Sequence, residues 1–327
     1  MRIVIIGGSG HVGTYLVPRL VEAGHQVINV TRGQKTPFQP NQAWSEVQQV
    51  IIDRDTEETA GNFGNKIRDL SADVVIDMIC FTLESCQQLV QALDGRLLHF
   101  IYCGSNWVYG HYAQVPVTEN MPRRPFGQYG IRKAEIEAYL LNEYQQHGIP
   151  STTLLPGHMV GRGWRPINPA GNLNPIVFKK LAFGEELALP NFGLETLHHV
   201  HCDDVAQVFM LVLENWNNAV GQSFNVVSPS AVNLRGYAET VANWFGEEAR
   251  LKFMPFDEWS TTVNEEDAAM TLEHILHSSN CSIEKAQRLL GYKPRYNSYQ
   301  AIHESLEWML ENKLITQDGK TISLFHQ

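Results

Sequence analysis

The sequence predicts an α/β fold: a Rossmann-type doubly wound parallel sheet with a smaller C-terminal α/β substrate-binding domain. Three observations carry that expectation. Short runs of β-branched apolar residues alternate with helix-period segments from Arg2 to Leu155. Glycines at 7, 10 and 13 stand between the first such run and the first helix. At Pro156 the composition shifts to a segment, Pro156–Asn174, rich in Gly, Pro and Asn.

The elements follow in order. Arg2–Ile6 is a buried parallel strand by its β-branched run. Val12–Ala23 is a helix, with Val12, Leu16, Leu20 and Ala23 on one face and Gly24 just past its end. Strands are expected at Val27–Val30, Val47–Ile52, Asp73–Met78, Leu97–Cys103 and Ser151–Leu155. Helices are expected around Lys66–Leu70, over Leu83–Leu93 and over Tyr129–His147, the last stopped by Gly148-Ile149-Pro150. Pro175–Gly184 is a further helix. His199–Cys202, Asp203–Asn215 and Ser223–Val227 make one more β-α-β unit. From Ser228 short helices alternate with Pro and Gly breaks. The boundaries expected are residues 1–156 plus about 198–227 for the nucleotide-binding domain, and about 157–197 plus 228–327 for the smaller one.

Composition narrows the function. With 43% hydrophobic and 18% charged residues, disorder is excluded. A net charge of -10 argues against nucleic acid or an anionic membrane as main partner. Apolar runs such as Val208–Leu213 are too short to span a bilayer. The N-terminus has no signal-peptide pattern, and five scattered cysteines without a CxxC pair point to reduced thiols. A cytoplasmic location is expected.

The loop Gly7-Gly8-Ser9-Gly10-His11-Val12-Gly13 is placed to cradle a pyrophosphate. Glycine lets the backbone turn tightly and approach the ligand, and the helix start offers unpaired N–H groups. Gly7, Ser9, Gly10, His11, Val12 and Gly13 are therefore candidate cofactor contacts. The second strand ends Thr31-Arg32-Gly33, where an NAD site usually carries a carboxylate for the ribose. A guanidinium there pairs with a 2′-phosphate, so NADP(H) is favoured and NAD(H) stays open. Asp53 is positioned for the adenine edge.

Tyr129 and Lys133 stand four residues apart, one turn along one helix face. The ammonium is expected to favour the phenolate and lower the tyrosine pKa, making Tyr129 an acid or base for a hydroxyl/carbonyl pair. Ser105, just after the fifth strand, would donate to the reacting oxygen.

With these residues assembled, the chain resembles the extended short-chain dehydrogenases/reductases of the NAD-dependent epimerase/dehydratase family. The resemblance runs nearly end to end. It takes in the glycine loop, Asp53, Ser105–Gly110, Thr118-Glu119, Leu155-Pro156-Gly157-His158, His201-Cys202-Asp203-Asp204-Val205, Lys285-Ala286 and Leu290-Gly291-Tyr292-Lys293-Pro294. It implies a Ser105, Tyr129, Lys133 catalytic triad, with Lys133 also holding the nicotinamide ribose and Pro156 and His158 on the nicotinamide side. It also implies a homodimer paired through the helices Leu83–Leu93 and Tyr129–His147.

The departures matter as much. Asn106-Trp107 stand where 4,6-dehydratases carry Asp-Glu, so dehydration is set aside. Leu197 stands where sugar-nucleotide epimerases carry an Arg for the substrate diphosphate. The fourth strand ends Asp77-Met78-Ile79-Cys80 in place of His-x-Ala. A nucleotide-sugar substrate is thereby in doubt, and the expectation is hydride transfer with a sugar-like or hydroxy-carbonyl small molecule. Asn106, Trp107, Arg162, Arg165 and Asn172 are candidate substrate contacts. His198, His199 and His201 are expected to line or cap a cleft, not to bind a metal. Arg123 and Arg124 are expected in a solvated turn. The Val30–Gly33 strand end and Asp77 also resemble the chloroplast stem-loop RNA-binding branch of the superfamily. The alternative reading is therefore a non-catalytic NAD(P)- or RNA-binding regulatory protein.

Overall fold

The computed structural model describes residues 1–317 except 94 and 113, together with 320, 321 and 324. The chain opens with β1 (Arg2–Ile6), α1 (His11–Glu22), β2 (Gln26–Thr31), β3 (Gln48–Ile51), α2 (Arg54–Thr59), α3 (Phe63–Arg68) and β4 (Val74–Asp77). Next come α4 (Leu83–Leu93), β5 (His99–Cys103), a 3-10 turn at Asn106–Tyr109, α5 (Gly127–His147) and β6 (Ser151–Pro156). After these lie β7 (His158–Val160), α6 (Ile176–Ala182), β8 (Leu187–Pro190), β9 (Thr196–Leu197), β10 (His199–His201) and α7 (Cys202–Glu214). The last part holds α8 (Trp216–Ala219), β11 (Gln222–Val226), β12 (Val232–Asn233), α9 (Leu234–Trp244), β13 (Leu251–Met254), α10 (Phe256–Ser260), α11 (Glu265–His277), α12 (Glu284–Leu290) and α13 (Ser298–Glu311).

The central sheet has seven strands in the order β11-β6-β5-β4-β1-β2-β3, and every pairing in it is parallel. Its two faces are buried differently, as the period of a strand requires. Ile3 and Ile5 pack with α1 and α7, whereas Val4 and Ile6 pack with α3, α4 and α5. A separate apolar core gathers α6, α9 and α13 with β8 and β13. The doubly wound parallel sheet and the C-terminal α/β layer match the fold expected from sequence.

Three local expectations need correction. The unit His199–Val227 is split between sheets: β10 pairs with β7, while β11 adds to the central sheet beside β6. The helix expected around Lys66–Leu70 starts earlier, at Phe63, and a second one, α2, precedes it. Asp53 caps α2, its carboxylate accepting from the Thr56 N–H at 2.9 Å. Arg123 is not in a solvated turn. Its guanidinium pairs with both oxygens of Glu137, donates to the carbonyls of Glu119 and Met121, and lies over the Tyr109 ring.

Asp77, at the end of β4, has a side chain fully removed from solvent. Arg54 reaches it from α2 at 2.9 Å and also binds Glu58 and Ser85. A buried carboxylate without its partner is costly. Arg54→Met should therefore lower the unfolding free energy by about 3–5 kcal/mol in urea titrations, and adding Asp77→Asn should recover part of it. A loss under about 1 kcal/mol would show the pair to be dispensable.

Candidate active site

The C-terminal edge of a parallel sheet leaves strand carbonyls and helix N-termini exposed together, so ligands gather there. Gly7 follows β1 with φ +87°, a conformation glycine alone adopts cheaply. A Cβ on Gly13 would lie 1.9 Å from the Gly8 carbonyl oxygen, so α1 crosses the loop only because residue 13 has none. The first turn of α1 has no side-chain cap and no acidic residue. Its free N–H groups suit a phosphate. Val12 is buried in the core and offers its backbone alone. The His11 side chain is used elsewhere: Nε2 meets the Gly163 carbonyl at 2.8 Å, and the ring stacks on Phe38 and abuts Trp164.

A cavity of ≈ 310 Å³ continues from this loop, lined by Gly7, Ser9, Gly10, Thr31, Arg32 and Lys35 among others. Lys35 is a cation the sequence reading passed over, because the irregular Gln34–Asn41 segment hides its placement. Asp53 is absent from this lining, although Arg32 attracts its carboxylate; Arg54 and Asp55 line the wall instead. Glycines, uncapped helix start and basic rim together fit the adenosine and phosphate half of a dinucleotide. A larger cavity, ≈ 770 Å³, lies at the opposite sheet edge around Leu97, His147 and Trp216, away from all of these groups.

Phe81 lines the nucleotide cavity, and the Lys133 ammonium sits 4.7 Å from its ring. Lys133 is buried and donates to two backbone carbonyls, Cys80 O at 2.9 Å and Cys103 O at 3.1 Å. Burial lowers its pKa. One turn earlier on α5, Tyr129 brings its ring 5.7 Å from the same ammonium. Ser105 caps the 3-10 turn, accepting from Trp107 N–H at 3.2 Å, and its hydroxyl is near enough to the Tyr129 phenol to favour the phenolate. Ser105, Tyr129 and Lys133 are thus together.

The electrostatics correct one expectation. Tyr129 as a whole is 44% exposed, yet desolvation pushes its phenol up to about 12, only partly offset by Ser105. The Lys133 ammonium lies 5.7 Å from the ring centroid, and the phenol is raised where the sequence spacing suggested it would be lowered.

The substrate candidates separate. Trp107 abuts Tyr129 at 5.6 Å between ring centroids and stacks on His277 at 4.1 Å. His158 is 6.4 Å from Trp107, and its position at the end of the Pro156-Gly157 turn keeps it on this wall. Asn106 turns inward, its amide toward the Cys281 sulfur. Asn172 is buried in a knot with Asn168, Asn174 and Thr271, so it serves the fold and not the cleft. Arg162 is ion-paired with Glu311, while Arg165 is exposed. His274 and His277, on α11, were missed: two histidines three apart on an amphipathic helix carry no signal in sequence until the helix is seen to pack against Trp107.

His198 is fully bonded, to Ser228 O and Cys281 N–H. His201 caps α7 and pairs with Glu304. Among the described residues, no three His, Cys, Asp or Glu side chains are arranged to hold a metal ion, and no helix is long and apolar enough to cross a membrane.

Known proteins supply the remaining evidence. A chloroplast stem-loop binding protein of 41 kDa from Arabidopsis thaliana is 27% identical over 319 residues, 93% of this chain and 78% of that protein. A putative UDP-glucose 4-epimerase of Methanocaldococcus jannaschii is 25% identical, over 95% and 99% of the two chains. Among solved structures, a UDP-glucuronic acid 4-epimerase from Bacillus cereus, in complex with UDP-glucuronic acid and NAD, superposes with a TM-score of 0.73. It shares 18% identity, covering 95% of this chain and 100% of the other. The profile of the NAD dependent epimerase/dehydratase family matches residues 3–226. This chain belongs to the NAD-dependent epimerase/dehydratase family.

Proposed function

We propose that the protein is an NAD(P)-dependent oxidoreductase or epimerase acting on a sugar-like or hydroxy-carbonyl small molecule, with Tyr129 as the acid/base. The observation that carries this is the convergence of Ser105, Tyr129 and Lys133 beside the nucleotide cavity. A bound nicotinamide would supply the hydride acceptor or donor, and in its oxidised form its positive charge would favour the Tyr129 phenolate. Tyr129 holds the proton that moves to or from the substrate oxygen. Ser105 donates to that oxygen and keeps the phenol aimed. Two of the three N–H donors of Lys133 are spent on Cys80 and Cys103 carbonyls, which leaves one for a ribose hydroxyl.

Asn106-Trp107 argue against dehydration, since neither side chain is an acid and Asn106 is turned away. Dehydratases do stand among the relatives, at 20% identity. Arg32 and Lys35 favour NADP(H) over NAD(H). A division into a nucleotide-binding domain and a smaller substrate domain fits the separate apolar cores. A homodimer through α4 and α5 rests on the family resemblance, because Gln88, Gln91, Arg132 and Glu135 on their outer faces are polar and exposed. The stem-loop-binding relative supports a second reading, a non-catalytic nucleotide- or RNA-binding protein. The acidic net charge of -10 weighs against it.

Tyr129→Phe keeps the ring packing and removes the proton carrier. Turnover should fall by at least ~10²-fold with cofactor affinity nearly unchanged. Full activity in this variant would remove Tyr129 from the mechanism. Arg32→Asp should weaken NADP(H) far more than NAD(H) in fluorescence titrations, because it sets an anion where a 2′-phosphate would sit. Equal losses for both cofactors would mean that Arg32 does not read the phosphate.

A further inference from the structure

After β2 the chain runs Arg32-Gly33-Gln34-Lys35-Thr36-Pro37-Phe38-Gln39-Pro40-Asn41, with two cations and no acid. From Gln34 to Asn41 it is neither helix nor strand and is mostly exposed. Pro37 and Pro40 fix φ on either side of Phe38-Gln39 and stiffen this piece. It is tied to α1 at two points. The Phe38 N–H donates to Thr14 Oγ1 at 2.8 Å, and Gln39 Nε2 donates to the Tyr15 hydroxyl at 2.9 Å. The Phe38 ring stacks on His11, with centroids 3.9 Å apart. It also lies against Gly163, where an added Cβ would come within 2.5 Å of the ring. The Gly163 carbonyl holds His11 Nε2 at 2.8 Å. That loop is fastened in turn to α13, because Gly161 N–H donates to Ser305 Oγ at 2.8 Å.

Gln34 and Lys35 wall the nucleotide cavity together with Gly7, Ser9, Gly10 and Arg32. We infer that Gln34–Asn41 is a strap closed across the phosphate half of the dinucleotide, latched by Phe38 on His11, and that it must unlatch before the cofactor enters or leaves. The inference rests on the dinucleotide reading of the cavity, and not on hydride transfer. His11 serves both parts of the latch: its main chain opens α1, where a phosphate is received, and its ring is the catch. Burial first, and the Lys35 charge in addition, lower His11 to about 4, so the catch is neutral and the lysine stands close to the start of α1. An ammonium there pairs with phosphate oxygens when the strap is shut. The latch is also light. Phe38 is 39% exposed, and its two tethers to α1 are hydrogen bonds between neutral groups, so opening is a local event that leaves the core intact. Phe38 and His11 are thus positioning residues, which act on the phosphates through Lys35.

Stopped-flow fluorescence of NADPH and of NADH with the wild type, Phe38→Ala, Phe38→Trp and Lys35→Gln tests the latch. A gate and a contact leave different signatures. Removing a contact speeds dissociation alone, whereas removing a latch speeds passage in both directions. Phe38→Ala should raise the association rate at least about threefold and the dissociation rate about tenfold, for both cofactors. Phe38→Trp keeps a ring on His11 and should stay within about twofold of the wild type. Lys35→Gln, with the latch intact, should speed dissociation without speeding association. Rates in Phe38→Ala equal to those of the wild type, or faster dissociation with unchanged association, overturn the inference. Should Phe38→Ala not fold, hydrogen exchange of the wild type decides. The Phe38 amide must then exchange more slowly when NADPH saturates the protein, and an unchanged rate overturns the inference. A wild type that binds neither cofactor ends the dinucleotide reading and this one together. Unaltered rates in a protein that binds both cofactors end only the latch.

Discussion

A buried ammonium held by two main-chain carbonyls organises the site. Lys133 leaves water at a cost, and the carbonyls of Cys80 and Cys103 offset it. Cys103 ends β5 and Cys80 lies in the loop just past β4, so the interaction pins α5 across the sheet edge. Everything nearby follows from that pin. Tyr129, one turn back, falls beside Ser105; Trp107 fills the gap between them and α11. The nucleotide cavity ends at Phe81, against the same ammonium. Moving α5 by one residue would leave the lysine unpaired and the phenol out of reach of the serine.

The fold was largely legible in the sequence because its signals are local and repeated. The β1 run alternates Ile3 and Ile5 with Val4 and Ile6, and both sets are buried, as a parallel strand covered on two faces demands. The glycines at 7 and 13 announce a crossing that a side chain would block. Boundaries failed where tertiary contacts decide. No local pattern shows that β10 leaves the main sheet to pair with β7, since three apolar-flanked histidines suit either sheet. Arg123 reads as a solvated turn until Glu137, fourteen residues on, claims it.

The site was legible in part for the same reason. Ser105, Tyr129 and Lys133 follow from spacing and from strand-end position. Their electrostatics do not: the phenol is raised by the crowding that only the folded chain supplies. Asn172 and Asn106 looked available and are consumed by internal bonds. His274 and His277 looked ordinary and complete the wall. The departures at Leu197 and Asp77 acquire meaning together. Leu197 is buried and apolar where a phosphate would need a cation, and Asp77 serves a buried ion pair with Arg54. Ser105, Tyr129 and Lys133 stand together, while the chain around them departs from the family pattern at Leu197 and Asp77.

The proposed hydride transfer requires that this site serve catalysis. It is tested most directly with reduced cofactor carrying deuterium at the nicotinamide C4, incubated with the protein and a panel of hydroxy-carbonyl and sugar-derived ketones. Mass spectrometry then follows the label. Deuterium is expected at the former carbonyl carbon of a product formed by the wild type. Cofactor that binds tightly yet keeps all of its deuterium against every ketone would contradict it, and would leave a nucleotide-binding protein without hydride chemistry.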